Sequence, residues 1–211
     1  MPPTLLTFDV FGTVVDWRMG LRAVLAERGG SLSDDDFERV INAQAVDESG
    51  PFRTYHEITA HSLIETLGID ADAAHAIATF IGRWPLFADS QDALRRLMQI
   101  APCVAMTNSD RVHGEQVQEQ LGFRLTDWVC AEDVRRYKPA PEFWAIVAAR
   151  RSIRPGPSWW HVSAYADYDL EAARALGLTC VFVRRPHSRP GPADLAVPDL
   201  AALAVRIETG R

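Results

Sequence analysis

Short apolar runs of three to five residues, spaced by stretches with helical periodicity, constrain this chain more than any other feature. LLTF (Leu5–Phe8), VAMT (Val104–Thr107), WVC (Trp128–Cys130), WHV (Trp160–Val162) and TCVFV (Thr179–Val183) read as strands. Runs that are apolar on both faces belong in a parallel sheet covered by helices on either side. The intervening segments supply those helices: SQDALRRLMQI, RVHGEQVQEQLG, APEFWAIVAARRS and DLEAARALG. Several end at a glycine, as helix C-termini often do. The pattern predicts an α/β chain with a doubly wound, Rossmann-like parallel sheet.

One region breaks the alternation. Between residues 17 and 84 four helical segments follow one another, at Gly20–Arg28, Asp34–Ala45, Tyr55–Leu67 and Ala71–Arg83. No strand-like run separates them, and ESGPFR (Glu48–Arg53) is a turn-rich break within them. This predicts a helical cap at 17–84 inserted after the first strand, on an α/β core made of 1–16 and 85–211. The Pro-rich stretch RRPHSRPGPADLAVPDL reads as a surface loop before a last short helix.

The 211 residues are 47% apolar and 24% charged, which suits one substantial core and excludes disorder. A net charge of −6 gives no reason to expect nucleic acid or an anionic membrane as partner. No run approaches the ~20 apolar residues of a membrane span. The N-terminus lacks the charged region of a signal peptide, so the expected location is the cytoplasm. Cys103, Cys130 and Cys180 lie singly in apolar runs, and neither they nor the six histidines show metal-ligand spacing. Core or surface roles are expected for the histidines, His161 included, and core roles for Trp128, Trp144, Trp159 and Trp160.

Of 22 basic residues only Lys138 is a lysine. A lysine offers a compact charge with three rotatable donors, which the planar arginine fork does not imitate. In an open parallel sheet, ligands bind beyond the carboxyl ends of the strands. The polar residues at those ends are Asp9 after the first strand, Thr107, Asn108 and Ser109 after the second, Lys138 beyond the third and Asp169 after the fourth. Two carboxylates, a hydroxyl, an amide and the lone lysine thus converge on one edge. A Gly-containing turn, Phe11-Gly12-Thr13, follows Asp9 and gathers backbone N–H groups around its carboxylate.

On these residues the chain resembles the haloacid dehalogenase superfamily hydrolases, in their type II 2-haloacid dehalogenase-like branch. DVFGTVVDW, TNSD, YKPAPEFW and the DYDLEAARALG region match the four motifs. The resemblance implies that Asp9 attacks carbon 2 of an (S)-2-haloacid and that water hydrolyses the resulting aspartyl ester. Lys138 would keep Asp9 ionised, Thr13 would orient it, and Asp169 would orient the lysine or help activate water. The implied substrate-binding residues are Val10, Phe11, Thr107, Asn108 (the halide contact), Arg53 and Trp144, the last standing where the family has a tyrosine. Arg39 is a second candidate for the halide-binding arginine of the cap.

Magnesium-dependent phosphatases of the same superfamily carry a second aspartate two residues after the nucleophile, as proton donor. Here that position is Phe11. Their fourth motif has two acids five positions apart, whereas Ala164 stands five before Asp169; Asp167 could lend a carboxylate. The expectation is a site without a metal, acting on a small carboxylic acid, with Mg²⁺ only if the chain is phosphatase-like. A catalytically weak binding domain is the third reading. A homodimer is possible.

Overall fold

The computed structural model describes residues 2–210. Strand β1 (Leu5–Phe8) is buried along its whole length. The chain then makes four helices with no strand between them: α1 (Trp17–Glu27), α2 (Asp34–Glu48), α3 (Tyr55–Leu67) and α4 (Ala71–Thr79), with a tight 3₁₀ turn at Ile81–Arg83. It continues through α5 (Ser90–Met98), β2 (Cys103–Thr107), α6 (Arg111–Leu121), β3 (Asp127–Cys130), the single turn α7 (Ala131–Val134) and α8 (Glu142–Arg151). β4 (Trp159–Ser163), α9 (Glu171–Ala175), β5 (Thr179–Val183), β6 (Leu195–Val197) and α10 (Leu200–Thr209) complete it.

The six strands form one parallel sheet in the order β3-β2-β1-β4-β5-β6. The expected α/β class and doubly wound sheet are therefore present. Side chains alternate between two cores. Leu6 and Phe8 pack on one face with α5, α6 and α10; Leu5, Val104, Met106 and Trp159 pack on the other with Phe143, Trp144 and Val147 of α8. Strand order turns outward in both directions from the β1–β4 pair. Chain ends that diverge there leave a crevice at the carboxyl edge.

The strand-free stretch is built from well-capped helices. Ser33 and Asp36 form a reciprocal cap on α2, whose first turn carries three aspartates, and Thr54 and Glu57 do the same on α3. The core adds a cap of its own. Asp110, after β2, accepts from the backbone N–H groups of Tyr55 (2.9 Å) and His56 (2.8 Å), fixing the start of α3 over the sheet edge. Trp17 and Trp84, at the two ends of the stretch, stack with their planes 7° apart and centroids 5.9 Å apart.

Two expectations change. The stretch read as Pro-rich loop contains β6, parallel to β5 and tied by the Cys180 N–H to the Asp194 carboxylate at 2.7 Å. Three residues before a proline are too few to show alternation. The helix expected to run to Arg83 ends at Thr79 and tightens into the 3₁₀ turn.

Gly20 packs so closely on Trp84 that a Cβ there would overlap the ring. Overpacking of this kind costs about 1–3 kcal/mol. Gly20→Ala is expected to lower the thermal unfolding midpoint by several degrees; an unchanged midpoint would show that the indole is free to move aside.

Candidate active site

Asp9 directly follows β1, and its backbone N–H continues the ladder to Val162 of β4 at 3.0 Å. The following turn passes through Gly12 at φ +91°, a left-handed value that side chains resist, and a Cβ there would also strike Tyr165. This turn brings the Thr13 hydroxyl back on Asp9: it donates to Oδ2 at 2.6 Å and accepts from the Ala164 N–H at 2.9 Å. The loop after α7 delivers Lys138. Its ammonium donates to Asp9 Oδ1 at 2.9 Å and to Asp169 Oδ2 at 2.8 Å, with all three side chains buried.

Asp169 sits in a widened turn, Ala166–Leu170, where the Leu170 N–H reaches back to the Tyr165 carbonyl. Turns of this kind are frequent at functional sites. Its other oxygen, Oδ1, lies 3.1 Å from His161 Nε2. His161 Nδ1 is 2.8 Å from the Thr7 hydroxyl, which in turn accepts from the Trp159 indole N–H at 2.8 Å. With the Nε2 proton facing the carboxylate, Thr7 donates to Nδ1, and the chain of polar groups runs from the core to Asp9.

Asn108 holds the lysine loop in place. Its Oδ1 accepts from the Lys138 backbone N–H at 2.6 Å, and its Nδ2 donates to Glu48 Oε2 at 3.1 Å. Thr107 bonds Ser109 and stands beside it.

One cation therefore serves two buried carboxylates, and they share it unequally. Burial opposes ionisation of Asp169, yet Lys138 and His161 hold its carboxyl well below the usual range. Burial pushes the Asp9 carboxyl above its ordinary value, with Lys138 and Thr13 pulling against it and the Asp169 charge adding to the rise. Burial works against the Lys138 charge as well, but the two carboxylates hold its pKa above the ordinary value. Asp9 is thus the more basic of the pair, as a nucleophile requires.

A cavity of about 560 Å³ opens above Asp9, between the sheet edge and the helices. Lys138, Thr107 and Asn108 share its floor, and Phe11, Phe52 and Tyr55 stand on its walls. Asp9, Thr13, Lys138 and Asp169 come together as expected, with Phe11, Thr107 and Asn108 beside the cavity. Three expected substrate contacts do not. Arg53 pairs with Asp47 at 3.1 Å, off the cavity wall, because this acid, the last residue but one of α2, holds it outside. Trp144 is buried in the core under the site, edge-on to His161 at 5.8 Å. Val10 turns its side chain into the core and offers only its carbonyl to the turn. Arg39 lies on the far side of the helices, bonded to Asp36.

Three residues on or behind the site were not singled out. His161 stands in the middle of β4, a polar side chain in an apolar run, which is the one signal that could have marked it. Glu48 ends α2 on the cavity wall. Arg135 also lines the cavity, with its guanidinium stacked 4.1 Å over the Phe52 ring, and among the described residues no carboxylate lies within 4 Å of it.

Residues 3–177 match the sequence profile of the haloacid dehalogenase-like hydrolases. The fructose-1-phosphate phosphatase YqaB of Escherichia coli (strain K12) is 29% identical over 193 residues, covering 85% of this chain and 95% of that protein. Two solved structures share the fold. The defluorinating L-2-haloacid dehalogenase Rha0230 superposes with a TM-score of 0.82 at 23% identity, over 98% of this chain and 95% of that one. The L-2-haloacid dehalogenase of Xanthobacter autotrophicus with chloropropionic acid covalently bound gives 0.80 at 16% identity, over 98% of both chains.

Removing the shared cation would leave two buried carboxylates facing each other. Breaking a buried pair costs about 3–5 kcal/mol. Lys138→Met is expected to destabilise by that amount at pH 7 in denaturant unfolding. The Lys138 contribution, from a raised pKa, is complete at any pH below the ordinary 10.5. Without the lysine both carboxyls titrate upward, so the deficit should shrink as pH falls from 7 towards 4. A deficit independent of pH would contradict the ion-pair reading.

Proposed function

The chain belongs to the haloacid dehalogenase-like hydrolases, and we propose that within them it is a metal-independent hydrolase that forms an aspartyl ester through Asp9. Its substrate is a small carboxylic acid with a leaving group on carbon 2, of the (S)-2-haloacid type. The observation that carries this reading is the Lys138 ammonium, set between Asp9 and Asp169 at 2.9 and 2.8 Å.

That placement bears on magnesium. Octahedral Mg²⁺ takes oxygen ligands at about 2.0–2.1 Å and would stand between the same two carboxylates. Here the gap is filled by the ammonium, the other Asp9 oxygen is bonded to Thr13, and the other Asp169 oxygen faces His161. Ala164 brings no donor, and Asp167 turns towards Arg189 at 3.8 Å. Among the described residues no group of three or more His, Cys, Asp or Glu side chains is placed to hold a metal ion. The donor set does not fit Mg²⁺.

The chemistry follows from the floor of the cavity. An Asp9 oxygen forms a bond to carbon 2 as the carbon–halogen bond breaks and its electron pair leaves with the halide. Halide departs without a proton, so Phe11 at the acid position does not obstruct this step. Water then adds to the ester carbonyl. Lys138, already on Asp9, offsets the charge that develops on the carbonyl oxygen, and the ester C–O bond breaks to give the 2-hydroxy acid. Among the described residues Arg135, rather than either cap arginine, is the cavity-wall cation with no carboxylate within 4 Å, and it receives the substrate carboxylate.

The phosphatase reading rests on the likeness to YqaB. It asks for a proton on a leaving alkoxide, help typically worth ~10²–10⁴-fold, at a position where this chain has Phe11. It also asks for the metal that the carboxylates do not fit.

Incubation with (S)-2-chloropropionate and EDTA in ¹⁸O-water decides between them. Chloride release and ¹⁸O in the peptide carrying Asp9 are expected, with Asp9→Asn reducing turnover at least about 10³-fold. Absence of both, together with chelator-sensitive hydrolysis of a generic phosphate ester, would overturn the proposal.

A further inference from the structure

Glu48 is a carboxyl group in the cavity that the aspartyl-ester scheme leaves unused. It ends α2 and faces the space above Asp9. One oxygen is fixed by the Asn108 amide at 3.1 Å, and Asn108 is itself locked by the Lys138 backbone, so the loop that aims the lysine also aims this acid. Among the described residues no arginine or lysine lies within ion-pair distance of it. The Asn108 N–H that holds it is the donor the family resemblance assigns to a departing halide. A leaving group on that side of the cavity therefore meets Glu48.

We propose that Glu48 is a proton donor in this site, and that it extends the chemistry from halides to a leaving oxygen, as in the opening of 2,3-epoxy carboxylic acids. The inference rests on the aspartyl-ester reading for its nucleophile. An Asp9 oxygen bonds to carbon 2, the carbon 2–oxygen bond of the ring breaks, and its electron pair stays on the oxygen, which remains attached to carbon 3. That oxygen takes the proton of Glu48 and becomes a hydroxyl. Glu48, now a carboxylate, accepts a proton from the water that attacks the ester carbonyl. The ester C–O bond breaks, the remaining water proton passes to the carbon 2 oxygen, and Asp9 and Glu48 return to their starting states. The sum is one epoxy acid and one water giving one 2,3-dihydroxy acid. Phe11 lacks this proton on its side of the nucleophile; Glu48 brings it from the facing wall.

The surroundings keep the proton available. Burial pushes the Glu48 carboxyl up to about 8, with Asn108 and Lys138 pulling against the rise and Asp9 and Asp47 adding to it. Tyr55, Tyr137 and Tyr168, which the Glu48 charge also reaches, are held above their ordinary value and stay neutral alongside it. At neutral pH Glu48 is thus predominantly an acid, able to donate.

The probe is 2,3-epoxypropionate, which matches 2-chloropropionate in carbon count and differs in needing a proton at the leaving atom. The protein is expected to convert it to the dihydroxy acid, with kcat/KM falling tenfold per pH unit above about 8. Glu48→Gln keeps the Asn108 contact, and should lower kcat/KM on the epoxide at least about 100-fold and abolish that alkaline limb. Its loss on 2-chloropropionate should be at least about tenfold smaller. Equal losses on both substrates, a surviving alkaline limb, or chloride release without ring opening would overturn the inference and leave the aspartyl-ester reading standing. Failure of chloride release and of ¹⁸O entry at Asp9 would remove that reading, and this inference with it.

Discussion

A single ammonium group neutralises two carboxylates that the fold has taken out of water, and the rest of the site is arranged around that imbalance. Two buried anions at hydrogen-bond distance from one cation leave one excess negative charge. Desolvating an uncompensated carboxylate costs several kcal/mol, so the excess has to be lodged somewhere tolerable. Here His161 and Lys138 settle Asp169 as the firmly ionised partner, and the excess falls on Asp9. The residue left with the weaker compensation is the one exposed to the cavity, where an electrophile can relieve it by forming a bond.

The sheet makes this possible because strand order reverses at β1 and β4. Asp9 and the Asp169 turn leave adjacent strands, while Lys138 arrives from the loop beyond β3 on the other side. Behind them a line of polar groups passes through an otherwise apolar core: Trp159, Thr7 and His161 are hydrogen-bonded in sequence, and His161 Nε2 lies 3.1 Å from the Asp169 carboxylate. This line fixes the rotation of the Asp169 carboxylate, and through Lys138 that of Asp9.

Much of this was legible in the sequence. Apolar runs buried on both faces located β1, β2, β3, β4 and β5, and polar residues at their ends located Asp9, Thr107, Asn108, Lys138 and Asp169. β6 was not legible, since three residues ending at Pro198 carry no period. The walls of the cavity were the harder part. Arg53 looked available as a cation because its partner Asp47 becomes its neighbour only once α2 has formed. Trp144 looked like a substrate contact because position after Lys138 says nothing about which way a helix turns its faces. Glu48 looked like part of a polar break, and only the close approach of α2 to Asn108 sets it above the nucleophile. Motif residues lie near strand ends and are read from spacing; wall residues depend on how helices lean, which spacing does not record.

The lone lysine has a consequence outside catalysis. Its side chain is 1% exposed, locked between two carboxylates, and every other side-chain cation in the chain is an arginine. The folded surface of this protein therefore presents no lysine amine. Reagents and enzymes that acylate, crosslink or conjugate through such amines find no side-chain target until the molecule unfolds. The first lysine they could reach would be the one whose loss of protection coincides with the loss of the site itself.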